Sequence, residues 1–165
     1  HPAAMPEEEL VKHCTMGKSR SSGPGGQHRN KVETKVTLTH EPTGIMAQAA
    51  ERRSAEENRR VALFRLRLLL ATEVRWGVPL GDARSELWKS RCSGGRIACN
   101  PEHWDYPAML AEALDVLEAA GGDEKKAALR LACSTSQLIK LIKEHPPAME
   151  RVNKARAAKG RHGLK

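Results

Sequence analysis

Between Lys35 and His40 the side chains alternate in character. Val36, Leu38 and His40 fall on one parity, and Lys35, Thr37 and Thr39 fall on the other. That is the two-residue period of a half-buried strand. Glu41-Pro42-Thr43-Gly44 supplies turn chemistry, because Pro sets φ and Gly accepts a positive φ. Ile45 to Ala50 is therefore expected to return as the second arm of a hairpin. Leu10 to Met16 is shorter and mixed, and reads as a further strand. After the hairpin the period changes. Ser54-Ala55-Glu56-Glu57 places a hydroxyl at an N-cap with a Glu three residues on, a capping-box pattern, and a helix is predicted from about Ser54 to Arg75. Its apolar stripe is expected on Val61, Phe64, Leu68 and Ala71, widened by Leu66, Leu69 and Leu70. Arg52, Arg53, Arg59, Arg60, Arg65 and Arg67 are expected on its other sides. Gly77 and Pro79 stop the helix.

Val78 to Pro107 reads as irregular, with a short helix around Ser85 to Ser90. It holds Trp88, Trp104 and Tyr106, with Trp76 just before it. Aromatics beside Arg91 and Arg96 can stack on RNA bases or pin a linker to its neighbour, and the second reading is favoured. Pro107 to Ala120 is expected to be helical and to end at Gly121-Gly122. Asp123 caps a further helix to about Ala132, Cys133-Ser134-Thr135 breaks it, and Ser136 to Glu144 forms another. Leu129, Leu138, Ile139 and Ile142 are expected to hold that pair together. A helix-turn-helix unit and a generic helical hairpin both fit. From Ala148 to Lys165, Arg151, Lys154, Arg156, Lys159, Arg161 and Lys165 stand against Glu150 alone. Such a run is not expected to fold by itself, and it suits a polyanion.

Charge points the same way. The 165 residues carry 28 Lys and Arg against 20 Asp and Glu, a net charge of +8 with a pI near 9.6. An excess of that size favours an anionic partner, nucleic acid above all. The four cysteines, Cys14, Cys92, Cys99 and Cys133, form no CxxC pair. Cys92, Cys99 and His103 lie close in sequence without an established zinc spacing, so no metal and no cofactor is expected. Nothing suggests a secreted disulfide scaffold, and no apolar run reaches the roughly 20 residues of a membrane helix. The chain begins at His1 and not at Met, which leaves a processed leader as an open reading.

Gly17 to Lys31 reads GKSRSSGPGGQHRNK, with four glycines, one proline and no acid. Too polar and flexible to pack, it is expected to be a long exposed loop. Lys12, Lys18, Arg20, Arg29 and Lys31 suit it to phosphate. Within it, Arg20-Ser21-Ser22-Gly23-Pro24-Gly25-Gly26-Gln27-His28, followed by Asn30-Lys31, resembles the signature loop of the class I peptide-chain release factors, including their small ribosome-rescue members. The resemblance continues through Thr39-His40-Glu41-Pro42-Thr43-Gly44-Ile45, similar to the family's hairpin turn. It extends through Glu51-Arg52-Arg53-Ser54, with Asn58 and Ala62 behind, similar to the start of its long helix. It covers about residues 10 to 72.

The chemistry explains the residue types. Peptide release is attack of water on the ester between the nascent chain and a tRNA ribose, and negative charge develops on the carbonyl and leaving oxygens. A backbone N–H aimed at such an oxygen stabilises it without any change of protonation. Gly25 and Gly26 open conformations closed to other residues and allow close approach to packed RNA. Gln27 adds a backbone N–H and a neutral amide that can orient the water. The resemblance implies that the Gln27 amide makes the oxyanion contact, that the ribosome supplies most of the site, and that Gln27 is a target of N5-methylation by a glutamine methyltransferase. Ser21 and Ser22 are not read as nucleophiles, since no His–Asp arrangement accompanies them. His28 is read as loop support or an RNA contact, not as a general base. Arg29 departs from the family, where an apolar residue is usual.

The expected fold is α+β. A GGQ domain over residues 1–75, a short sheet with a hairpin packed on one long helix, precedes a Trp-containing linker (76–106). A small helical module (107–145) and a basic tail (146–165) complete it. With at most a dozen or so residues before the first strand, no codon-reading region is expected. The tail is similar in charge and position to that of the rescue members, which occupies an empty mRNA channel of the small subunit. The expected activity is codon-independent release in the peptidyl transferase centre, with hydrolysis only on the ribosome. The alternative is a ribosome- or RNA-binding module without release activity. The expected RNA contacts are Arg20, Ser21, Ser22, His28, Arg29, Asn30, Lys31, Arg52, Arg53, Arg151, Lys154, Arg156, Lys159 and Arg161. The partners are large-subunit rRNA and peptidyl-tRNA, with no membrane, for a monomer in bacterial cytoplasm or, alternatively, the mitochondrial matrix.

Overall fold

A computed structural model describes residues 1–20 and 33–165. They form two compact units, Pro2–Leu70 and Ala71–Lys165, the latter with His1. The mixed α+β class holds.

In the N-terminal unit a 3-10 turn (Pro2–Ala4) leads to helix α1 (Glu7–Lys12), then strands β1 (Cys14–Ser19), β2 (Lys35–His40) and β3 (Ile45–Ala49). The strands form an antiparallel sheet in the order β1-β2-β3, with Leu38 facing Met16 on one side and Ala47 on the other. The two-residue alternation survives intact: Val36, Leu38 and His40 are buried, as are Ala47 and Ala49. Leu10 to Met16 does not form one strand. Glu7, Glu8 and Glu9 in a first turn favour a helix through its dipole, Leu10 is its buried residue, and the strand begins only at Cys14. The hairpin turn is held by the Gly44 N–H donating to the His40 carbonyl at 2.8 Å and by His40 Nδ1 meeting Thr43 Oγ1 at 2.8 Å.

Helix α2 (Ala55–Glu73) is capped as expected, the Glu57 N–H donating to Ser54 Oγ at 3.0 Å. Its rotation differs from the expected stripe. Asn58, Ala62, Leu63, Leu66, Arg67 and Leu70 are buried, while Val61, Phe64 and Leu68 are only half-buried. Apolar and charged residues are intermixed along this helix, so spacing alone could not choose one face. Arg67 in particular is buried instead of solvated. Its Nε donates to the Ala3 carbonyl at 2.9 Å, so the Pro2–Ala4 turn covers it.

The C-terminal unit contains α3 (Glu86–Arg91), a small hairpin of β4 (Cys92–Ser93) and β5 (Arg96–Ile97), and helices α4 (Tyr106–Ala119), α5 (Glu124–Arg130), α6 (Thr135–Lys143) and α7 (Pro146–Ala158). The hairpin was not anticipated. Gly94 and Gly95 both take positive φ at its tip, the requirement of the tight turns that match strand twist. Asp123 and Ser134 cap α5 and α6. Trp88 and Tyr106 are fully buried pins, with Trp88 Nε1 donating to the Leu131 carbonyl and the Tyr106 hydroxyl to that of Leu141, both at 2.8 Å. Leu129 does not join the α5–α6 contact: it is 81% exposed, and Ala127, Ala128, Leu131, Leu138, Leu141 and Ile142 are buried instead.

The basic C-terminal run is folded, not extended. Pro146 and Pro147 occupy the first helical positions of α7, where a missing N–H costs nothing. Ala148 is buried, and Asn153 clasps the end of the chain by accepting from the Leu164 N–H at 2.7 Å. Among the described residues, no helix is long and apolar enough to cross a membrane.

Candidate functional site

The segment bearing Gly25-Gly26-Gln27 leaves the sheet at the end of β1 and returns at the start of β2. Ser21, Ser22, Gly25, Gly26, Gln27, His28, Arg29, Asn30 and Lys31 lie outside the described residues. What the structure gives is the base on which they stand. Ser19 pairs with Lys35, so the two ends of the segment meet on adjacent strands.

Asn58 fastens the returning end. It is wholly buried, and its Nδ2 donates to the Thr34 carbonyl at 2.6 Å and to the Arg52 carbonyl at 3.1 Å. Its Oδ1 accepts the Arg52 N–H at 2.9 Å. One amide thus ties the loop's exit to the turn between β3 and α2. Asn is a poor helix former and competes for backbone bonds, so its place in the first turns of α2 is a usable sequence signal. It was quoted above only as part of a resemblance. A second clasp steadies the same turn. Arg65 donates to the Gln48 carbonyl at 2.9 Å and pairs with Glu51 at 2.5 Å, while Glu51 also accepts the Ala50 N–H at 2.9 Å. The Ala50 amide and then Arg65 hold the Glu51 carboxyl below the usual range.

These clasps fix the backbone of Arg52 and leave the side chains of Arg52 and Arg53 exposed. Among the described residues, neither forms an ion pair. Lys18 and Arg20 are likewise exposed at the departing end. The base of the loop is therefore a cationic rim fixed by a neutral amide, suited to phosphate on either side. Below it, burial and then the neighbouring His13 lower the His40 pKa.

The C-terminal cations are placed differently. Arg156 is 6% exposed, donating to the His162 carbonyl at 2.8 Å and to Glu124 at 2.6 Å, with a further bond to the Gly122 carbonyl. The guanidinium expected to meet RNA is instead taken up inside the fold by these carbonyls and Glu124. Arg151 pairs with Glu73, and Arg161 lies 3.7 Å from Asp123. Lys154 and Lys159 are exposed and, among the described residues, form no ion pair.

Comparison with known proteins adds the following. Residues 8–86 match the family model described as the RF-1 domain. The chain is 42% identical over 111 residues to peptide chain release factor 1 of Caulobacter vibrioides, covering 64% of this chain and 30% of that protein. It is 38% identical over 88 residues to a chloroplastic peptide chain release factor of Arabidopsis thaliana, covering 52% of this chain and 18% of that protein. It is 53% identical over 49 residues to a mitochondrial peptide chain release factor-like protein of Saccharomyces cerevisiae, covering 30% and 32%. In each case the match spans less than a third of the relative's length.

Proposed function

The chain belongs to the class I peptide-chain release-factor family, and from that premise we propose that it releases nascent peptide by promoting hydrolysis of peptidyl-tRNA in the ribosomal peptidyl transferase centre, without a codon, in the rescue of stalled ribosomes. The observation that carries this reading is the Gly25-Gly26-Gln27 motif in a segment fastened at both ends, by the Ser19–Lys35 pairing and by Asn58, within the matched RF-1 region.

The role of each part follows from the ester chemistry. The Gln27 N–H stabilises the charge developing in the transition state, and the two glycines let the backbone bring it there. Arg20, Arg29, Lys31, Arg52 and Arg53 meet rRNA phosphate at the loop and its base, with Ser21, Ser22, His28 and Asn30 hydrogen-bonding nearby. Methylation of Gln27 would fix its amide. The basic C-terminal segment, with Lys154, Lys159, Arg151 and Arg161 at its surface, supports the rescue reading through its likeness in charge to the tails that enter an empty mRNA channel. The relatives come from bacterial, chloroplast and mitochondrial settings, so the site of action is a compartment with bacterial-type ribosomes.

Arg29 favours one competing reading, a ribosome-binding domain that keeps the loop without the reaction. Release of labelled peptide from ribosomes with an empty mRNA channel decides between them. Fast release by the wild type, slowed about 10²–10³-fold by Gly26→Ala and absent when mRNA fills the channel, is the expected result. Tight binding with no release would establish the binding domain instead.

A further inference from the structure

The C-terminal unit holds a surface that peptide release leaves unused. Helices α5 and α6 are joined by the four residues 131–134, and α4 packs against both. Two helices joined by a short turn, with a third packed on both, are also the components of helix-turn-helix readers of nucleic acid, in which the second helix of the pair meets the polyanion. Helix α6 is strongly two-sided. Leu138, Leu141 and Ile142 face the core, while Ser136, Lys140 and Lys143 recur at four- and three-residue steps and are exposed. That spacing puts the three on one stripe of the helix.

The β4–β5 hairpin stands beside the first turn of α6 like a wing. The Gly95 carbonyl accepts the Ser134 N–H at 2.9 Å, and the Ile97 N–H donates to Gln137 Oε1 at 3.1 Å. Arg96, between them, is exposed. Among the described residues, Arg96, Lys140 and Lys143 form no ion pair. In the same unit Arg84, Lys89 and Arg91 are held by Asp82, Glu86 and Asp105. Residues 133–165 carry eight basic side chains against Glu144 and Glu150, so this stretch has a net positive charge.

We propose that the exposed stripe of α6, with Arg96 of the adjoining hairpin, is a docking surface for double-helical RNA. The stripe has no aromatic on which an unpaired base could stack. Its lysines and hydroxyl suit the phosphates and 2′-hydroxyls of a stem, and an eight-residue stretch of helix spans about 12 Å, the scale of one groove. The choice of RNA over DNA rests on the release reading, which places the chain on the ribosome. The consequence is division of labour. The loop reaches the ester, and the helical unit holds the factor on a stem elsewhere.

The test uses the full chain, deproteinised large-subunit rRNA as the probe, and binding measured across a salt series. Lys140→Gln/Lys143→Gln removes two phosphate contacts, so affinity is expected to fall roughly 10- to 30-fold at about 0.15 M salt, with a shallower salt slope. Arg84→Gln/Lys89→Gln removes the same charge from paired positions and is expected to leave affinity within about twofold. Equal urea midpoints for the two variants show that both are folded, and Arg96→Gln provides a smaller, independent loss. Unchanged affinity and slope for Lys140→Gln/Lys143→Gln would overturn the proposal. So would a DNA duplex competing better than an RNA duplex of the same sequence. Release is measured in parallel. A wild type that releases nothing but binds rRNA through Lys140 and Lys143 sinks the release reading alone, and one that releases peptide but binds without those lysines sinks this one alone.

Discussion

Around the loop base of the N-terminal unit, Arg52 and Arg53 are exposed and, among the described residues, rest on no acid. In the C-terminal unit Arg75, Arg91, Arg151 and Arg156 all lie against carboxylates: Asp115, Asp105, Glu73 and Glu124. The two regions look alike as strings of basic residues, yet one set is presented and the other is largely structural. Arg75 makes the point. It pairs with Asp115 at 2.9 Å and donates to the Ala71 and Thr72 carbonyls, closing the end of α2, while Asp115 also accepts the Trp76 N–H at 3.1 Å. Burial raises the Asp115 pKa, while the Trp76 N–H and Arg75 oppose the shift. A cation acts on a distant polyanion only when its own fold has no use for it.

The contrast breaks most visibly at the aromatic pins. Trp88→Ala should cost about 3–5 kcal/mol, a large side chain lost from a closed core, together with the donor to the Leu131 carbonyl. Urea unfolding followed by the remaining tryptophans, Trp76 and Trp104, reads it, since all three tryptophans lie in this unit. A cost under about 1 kcal/mol would mean that Trp88 is a surface element and would weaken the whole contrast.

Arg156 sharpens it next. Arg156→Ala leaves the Gly122 and His162 carbonyls and the partly buried Glu124 without their donor, at about 2–3 kcal/mol. Lys154→Gln, at an exposed lysine that forms no ion pair among the described residues, should leave the melt unchanged and lower ribosome affinity instead. Asn58→Ala comes below these, at about 2 kcal/mol for the stranded Thr34 and Arg52 groups. It should also slow peptide release more than its stability loss explains, because the loop base loosens. Release unchanged in a folded Asn58→Ala protein would show that the clasp does not position the loop.

Much of this was legible in the residues. Alternation located β2, the turn from Glu41 to Gly44 located β3, caps at Ser54 and Asp123 located two helices, and Gly25-Gly26-Gln27 pointed to the chemistry. What the residues did not disclose is where each element turns its faces. Along α2 apolar and charged residues are mixed, so its burial of Ala62, Leu66 and Arg67 depends on what packs there, and Arg67 is covered by the turn at Pro2–Ala4 some sixty positions earlier. Leu129 and Arg156 misled for the same reason: hydropathy says that Leu129 prefers a core and Arg156 prefers water, and tertiary contacts decide otherwise. Asn58 was visible as an unusual residue for the first turns of a helix, but its type alone does not say which three backbone groups it satisfies.

The smallest expected effect concerns protons. His40 in the N-terminal unit and His145 in the C-terminal unit both have pKa values lowered by burial, His40 with a further contribution from His13. Nε2 of His145 is buried without a hydrogen-bond partner among the described residues. A folded pKa below the unfolded value of about 6.5 means that the unfolded chain binds more protons in acid. Stability from these sites is therefore present in full above about pH 6.5 and declines as pH falls through the folded values. His145→Gln should flatten the decline seen by tryptophan fluorescence, which reports only the C-terminal unit. His40→Gln, which also takes the imidazole partner from Thr43 in the following turn, should flatten the decline read by amide exchange in β2. If each substitution acts only on the probe in its own unit, the two acid responses are separate and the comparison between the units extends to their titration. If either one removes the whole decline, a single histidine governs both.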